Sequence, residues 1–99
     1  FPQMTAIMGG NDKMAIGALR CLSERKLRVP ADLSVCGVDD VPAAAFSNPG
    51  LTTVQHDLFR IGILAVDAAL ALFNEETDLI QRTLPVKLIL RESTGPARS

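Results

Sequence analysis

The run Val35-Cys36-Gly37-Val38-Asp39-Asp40 constrains this chain more than any other: an apolar segment that stops at two adjacent carboxylates. Apolar residues on both alternating faces describe a strand buried on both sides, as in a parallel sheet covered by helices. Acids at the end of such a strand point into the crevice where open α/β sheets bind ligands. The layout recurs upstream, where Thr5-Ala6-Ile7-Met8 runs into Gly9-Gly10-Asn11-Asp12 and then into a helical pattern. Two strand ends thus offer polar side chains to one edge.

Between these strands, Ala15, Ala18, Leu19 and Leu22 recur at helical spacing, with Arg20, Ser23, Glu24 and Arg25 opposite, which predicts an amphipathic helix over 11–26. Asn11 or Asp12 supplies its N-cap. Strand, helix, strand in that order requires a parallel pair joined by a right-handed crossover. Val41 to Gly50 reads as a loop with room for one helical turn at 43–46, and Leu51-Thr52-Thr53-Val54 as a further strand. A second helix is expected over 57–74, with Leu58, Ile61, Ala65, Ala69 and Leu72 on one stripe. Because Ile63, Leu64, Val66 and Leu70 fill much of the remainder, that helix expects cover on more than one side. A polar turn at Glu75 to Asp78 precedes a period-two strand, half-buried or at an edge, with Leu84, Val86, Leu88 and Leu90 on one face. Arg91 to Pro96 is then expected to leave the fold.

A length of 99 residues bounds this to one domain at most, and 47% hydrophobic against 21% charged residues excludes a disordered segment. The chain lacks Trp and Tyr, and ten basic residues against eleven acidic ones give a net charge of -1. Stacking platforms for nucleic-acid bases are few, and no electrostatic pull toward DNA, RNA or an anionic membrane follows. Cys21 and Cys36 have neither metal-ligand spacing nor a disulfide framework, so both read as reduced core thiols in a cytoplasmic protein. The start at Phe1-Pro2, without an initiator Met, reads as a piece of a longer protein.

Enzyme chemistry is disfavoured. Asp39 and Asp40 suggest an acid/base pair, but neighbours on a strand point to opposite faces and rarely share a substrate atom. The sequence carries no glycine-rich phosphate loop, no nucleophile elbow and no metal-ligand cluster, so neither a cofactor nor a metal is expected.

Several motifs in register resemble a known family: Gly10-Asn11-Asp12-Lys13-Met14-Ala15-Ile16-Gly17-Ala18, Val29-Pro30-Ala31-Asp32-Leu33-Ser34-Val35, Gly37-Val38-Asp39-Asp40, Leu51-Thr52-Thr53-Val54, Leu84-Pro85 and Arg91-Glu92-Ser93-Thr94. Together they resemble the C-terminal part of the effector-binding domain of LacI/GalR-type transcriptional regulators, over nearly the whole chain. The resemblance implies an α/β, periplasmic-binding-protein-like (type I) fold: parallel sheets with flanking helices in two lobes around a cleft for a small effector, commonly a sugar. It implies that about 1–54 and 84–92 belong to one lobe and about 55–83 to the other. It also implies a homodimer, and DNA contact only through an N-terminal domain outside this sequence. A periplasmic sugar-binding protein of a transport system is the alternative, since it shares lobes and cleft.

By the same resemblance Asn11 contacts effector hydroxyls and Asp39 accepts hydrogen bonds from two adjacent ones, while Asp40 is expected to cap the following loop. Capping of the first helix would pass to Asp12, freeing the Asn11 amide. Gln55 and His56, the sole histidine, compete for one inward position near the lobe crossing. Ile16 lies off the apolar stripe of its helix and is expected at the dimer interface. Val38 and Gly10 depart from the family, which usually has an aromatic before the first Asp and Ala or Ser before the Asn, so a different pocket shape is expected.

Overall fold

A computed structural model describes residues 2–76 and 81–99. It divides the chain into two compact units, one formed by Phe1–Gln55 with Lys87–Ser99 and the other by His56–Val86. Thr77 and Asp78 of the expected turn lie outside the described residues.

The first unit holds strands β1 (Ala6–Met8), β2 (Ser34–Val38), β3 (Thr52–Gln55) and β4 (Lys87–Ile89) in the order β1-β2-β3-β4, together with helices α1 (Asp12–Glu24) and α2 (Pro42–Phe46). β1, β2 and β3 run parallel, with Ile7 opposite Val35 and Gly37 opposite Thr53, and β4 is antiparallel to β3. The expected α/β class and the parallel β1–β2 pair are therefore present. Helix α1 packs on β2, and the buried core is Ala15, Leu19, Leu22, Val35, Ala44 and Leu51. Ile16, Ala18 and Val41 pack against its margin.

Two expectations fail here, for Cys21 and for the tail after the last strand. Cys21 is exposed rather than in the core, because it lies off the Ala15, Leu19, Leu22 face and meets the guanidinium of Arg25, with Nη1 2.6 Å from Sγ. The last strand takes the half-buried edge place expected of it, with Ile89 as its inward residue, half-buried, whereas Leu88 and Leu90 are exposed. Its phase continues through Arg91 to Ser93, which is fully buried, so the tail does not leave the fold. The Ser93 hydroxyl donates to the Val35 carbonyl (2.5 Å) and accepts from the Thr52 amide (2.8 Å), and the Ser93 carbonyl accepts from the Val35 amide (2.9 Å). Further along, Arg98 Nη1 donates to the carbonyls of Met4 and Asp32 at 2.9 and 2.7 Å. Backbone groups beyond the ladder need partners, and this polar segment supplies them.

The second unit holds α3 (Leu58–Phe73), capped by Asp57, whose carboxylate accepts from the Arg60 amide at 3.0 Å. No α3 residue is fully buried. Its half-buried positions are Leu64, Ala68 and Ala71 rather than the expected stripe, while Phe59, Val66, Leu70 and Phe73 are exposed. With apolar residues around its whole circumference, periodicity had no polar face from which to choose an orientation. Among the described residues, no helix is long and apolar enough to cross a membrane.

Candidate functional site

Asn11 and Asp39 stand at the carboxyl ends of the adjacent parallel strands β1 and β2, the edge at which open α/β sheets bind ligands. Asn11 is the N-cap of α1, its Oδ1 accepting from the Met14 amide at 2.9 Å. Capping therefore stays with Asn11 and does not pass to Asp12. The cap uses the amide oxygen of Asn11; its Nδ2 group supplies two further donors.

Asp12 turns inward instead. Its side chain lies on the same face of α1 as Ala15, Leu19 and Leu22 and is fully buried. Oδ1 accepts from the Thr53 hydroxyl at 2.5 Å, and Oδ2 accepts from the Val41 amide at 2.9 Å. Gly37 makes this possible, since a Cβ there would collide with the Asp12 carboxyl group and press on its Cα. Helix start, β3 and the loop after β2 thus meet at one buried carboxyl.

The two acids after β2 both have positive φ, 118° at Asp39 and 54° at Asp40. Such angles are costly for residues with a Cβ, especially the former, and they persist where neighbours over-determine them. The Asp39 amide donates to the Val54 carbonyl (2.9 Å) and the Asp40 amide to Thr53 Oγ1 (3.3 Å). The Asp40 carboxylate accepts from Arg91 Nη2 at 2.9 Å and from Gln55 Nε2 at 2.8 Å. Arg91 also donates to the Leu51 carbonyl (3.0 Å), and with Asp40 it forms a largely buried ion pair. Asp40 therefore does not cap the following loop: the N-cap of α2 is Val41, with no side-chain cap, and the Asp40 carboxylate ties the end of β2 to the segment after β4.

Gln55 closes β3 beside Asp40, whereas His56 opens the second unit. Within that unit a cleft of about 490 Å³ is lined by His56, Ile61, Leu64, Asp67, Arg82 and Leu84, among others. Ile16 is half-buried and borders a shallow groove with Leu19, Arg20, Ser47 and Asn48. Sequence reading missed Asp12, Thr53 and Arg91 as supports of the strand end. A signal for Asp12 was available, because positions 12, 15, 19 and 22 form one helical stripe and an acid on it must find buried partners. Among the described residues, no group of three or more His, Cys, Asp or Glu is placed to hold a metal ion.

Residues 2–94 match the family described as periplasmic binding protein-like domain. The lactose operon repressor of Escherichia coli K12 is 40% identical over 90 residues, covering 91% of this chain and 25% of the relative. The transcriptional repressor PurR of Haemophilus influenzae (strain PittEE) is 38% identical over 93 residues, 90% of this chain and 28% of the relative. The chain thus spans about a quarter of the length of these curated relatives. Among solved structures, a lac repressor dimer bound to operator and the anti-inducer ONPF matches with a TM-score of 0.79 at 40% identity, over 91% of this chain and 32% of that one. A complex of the transcriptional regulator CelR with cellobiose matches with a TM-score of 0.80 at 31% identity, over 93% and 28% of the two chains. This chain belongs to the periplasmic binding protein-like domain family, as a fragment of the effector-binding domain of a LacI/GalR-type regulator.

Proposed function

We propose that the carboxyl ends of β1 and β2 bind a small polyhydroxylated effector, a sugar, and that the parent protein is a cytoplasmic regulator that binds DNA through a domain outside these residues. One observation carries the reading: Asn11 and Asp39 stand at the carboxyl ends of adjacent parallel strands, the edge at which such sheets bind ligands, and Asp39 is held there at a strained φ of 118°. A carboxylate accepting from two neighbouring hydroxyls and an amide that both gives and accepts are suited to a sugar. The likeness to a CelR–cellobiose complex and to the lactose operon repressor supports this class. Similarity to PurR keeps a purine base as the competing ligand. A transport-linked periplasmic protein is the weaker alternative, since these relatives are named as repressors.

Titration of the full-length protein with lactose, cellobiose, ribose and hypoxanthine tests the class. A sugar is expected to bind, and Asp39→Ala to weaken it by about 1.5 to 3 kcal/mol, the worth of a charge-assisted hydrogen bond. Unchanged affinity in Asp39→Ala removes Asp39 from the site, and binding of hypoxanthine alone replaces the sugar reading. In this reading Gln55, bonded to Asp40 at the strand end, is preferred to His56 as the further effector contact, and a second copy packs on α1 at Ile16. Ile16→Glu is expected to shift the protein from dimer to monomer in sedimentation, and an unchanged dimer moves the interface elsewhere.

A further inference from the structure

We propose that Asp12 is the positioning residue of the effector site, an inference that rests on the reading of Asp39 above. The two amides that follow Asp39 both end on Asp12. That of Val41 donates to Oδ2 directly, and that of Asp40 donates to Thr53 Oγ1, whose own proton goes to Asp12 Oδ1. One buried carboxyl therefore fixes the backbone on the far side of Asp39, while the Val54 carbonyl holds the Asp39 amide itself. Asp39 is clamped before and after its own Cα, which is what a residue at a φ of 118° requires to stay there.

The arrangement is more than a fold constraint. Glycine at 39 and 40 would adopt positive φ with little strain, yet both positions carry carboxylates, so the backbone is bent where a side chain has to be aimed. Asp12 also lies directly after Asn11 on the first turn of α1, so the residue that fixes the Asp39 turn is joined covalently to the other candidate contact. Any shift of α1 along β2 moves both together. Gly37 leaves the space that lets the helix carry this carboxyl against the sheet. Placement of a binding group is worth a great deal, because small displacements cost far more than the lost contact suggests.

Asp12→Asn in the full-length protein tests this. The amide retains one acceptor for the Val41 N–H and turns its NH2 group toward Thr53, whose hydroxyl then accepts instead of donating, so the charge-assisted bond that anchors the clamp becomes a weaker neutral one. Two readouts apply at a temperature where circular dichroism shows the variant fully folded. Hydrogen exchange at the Asp40 and Val41 amides is expected to accelerate relative to the rest of the sheet. The dissociation constant for whichever of lactose, cellobiose and ribose binds the wild type is expected to rise about tenfold or more. A purely structural role would lower the melting temperature while leaving both local exchange and affinity as they were, and that result overturns the proposal. If Asp12→Asn does not fold, Thr53→Val removes one arm of the clamp with the same expected direction, about threefold in affinity. Loss of binding in Asp39→Ala with none in the folded Asp12→Asn defeats this inference alone. Unaltered binding in Asp39→Ala defeats the site reading on which it rests.

Discussion

The two compact units put their apolar residues to opposite ends. In the first, apolar residues sit on faces: positions 15, 19 and 22 of α1, Val35 of β2, and Leu51 just before β3 are all buried together, and the opposite side of the helix carries Lys13, Arg20, Ser23 and Glu24. In the second, α3 is apolar almost throughout and buries no residue completely. Patterning separates them as much as hydrophobicity does: a face that alternates with polar residues specifies which side turns inward, whereas a uniformly apolar helix specifies only that it wants cover. The first unit also satisfies its polar groups internally, with Asp12, Thr53 and Ser93 all buried and all hydrogen-bonded. Its stability is thus written in its own residues.

The sharpest way to break that comparison is one substitution made twice. Leu51→Ala removes a side chain with no solvent exposure and is expected to cost about 2–5 kcal/mol in urea unfolding of the 99-residue chain. Leu70→Ala removes the same atoms from a residue that is 55% exposed on α3, and is expected to cost less than about 0.5 kcal/mol. Equal costs would mean that α3 is covered in solution. A second copy of the chain would then be the cover, and the unfolding midpoint would rise with protein concentration.

What could be read in advance followed the same division. The parallel β1–β2 pair, α1 and its cap, and β3 were legible because alternation, helical spacing and a cap residue all agreed over short stretches. The phase of β4 was not legible: Leu84, Val86, Leu88 and Leu90 are more apolar than Lys87 and Arg91, yet the latter phase leads to Arg91 and Ser93, whose hydrogen bonds hold the sheet. Hydrophobicity cannot foresee a strand whose inward side is chosen by polar partners far away in sequence. At the candidate site, Asn11 and Asp39 were legible as strand-end polar residues. Their supports were harder to see, since the ties from Asp12 to Thr53 and from Asp40 to Arg91 span 41 and 51 residues.

The smallest effect tests whether the first unit's surface contributes at all. In the connection before β2 the Arg28 guanidinium donates to both Asp32 oxygens, at 3.0 and 2.8 Å, and holds that carboxyl down at about 2. An unfolded chain binds the same proton near about 3.9. The folded value is the lower one, so the stabilisation is complete above the unfolded value and is lost as the pH falls through about 2. Because the Arg28 side chain is 75% exposed, water and salt screen the pair and its worth is modest. Wild type and Asp32→Asn are expected to differ by a small constant gap in urea midpoint above about pH 5, closing progressively as the pH falls through about 2, below which both side chains are neutral. A gap that stays flat across that range would show that Asp32 acts through its bond to the Arg28 amide rather than through charge.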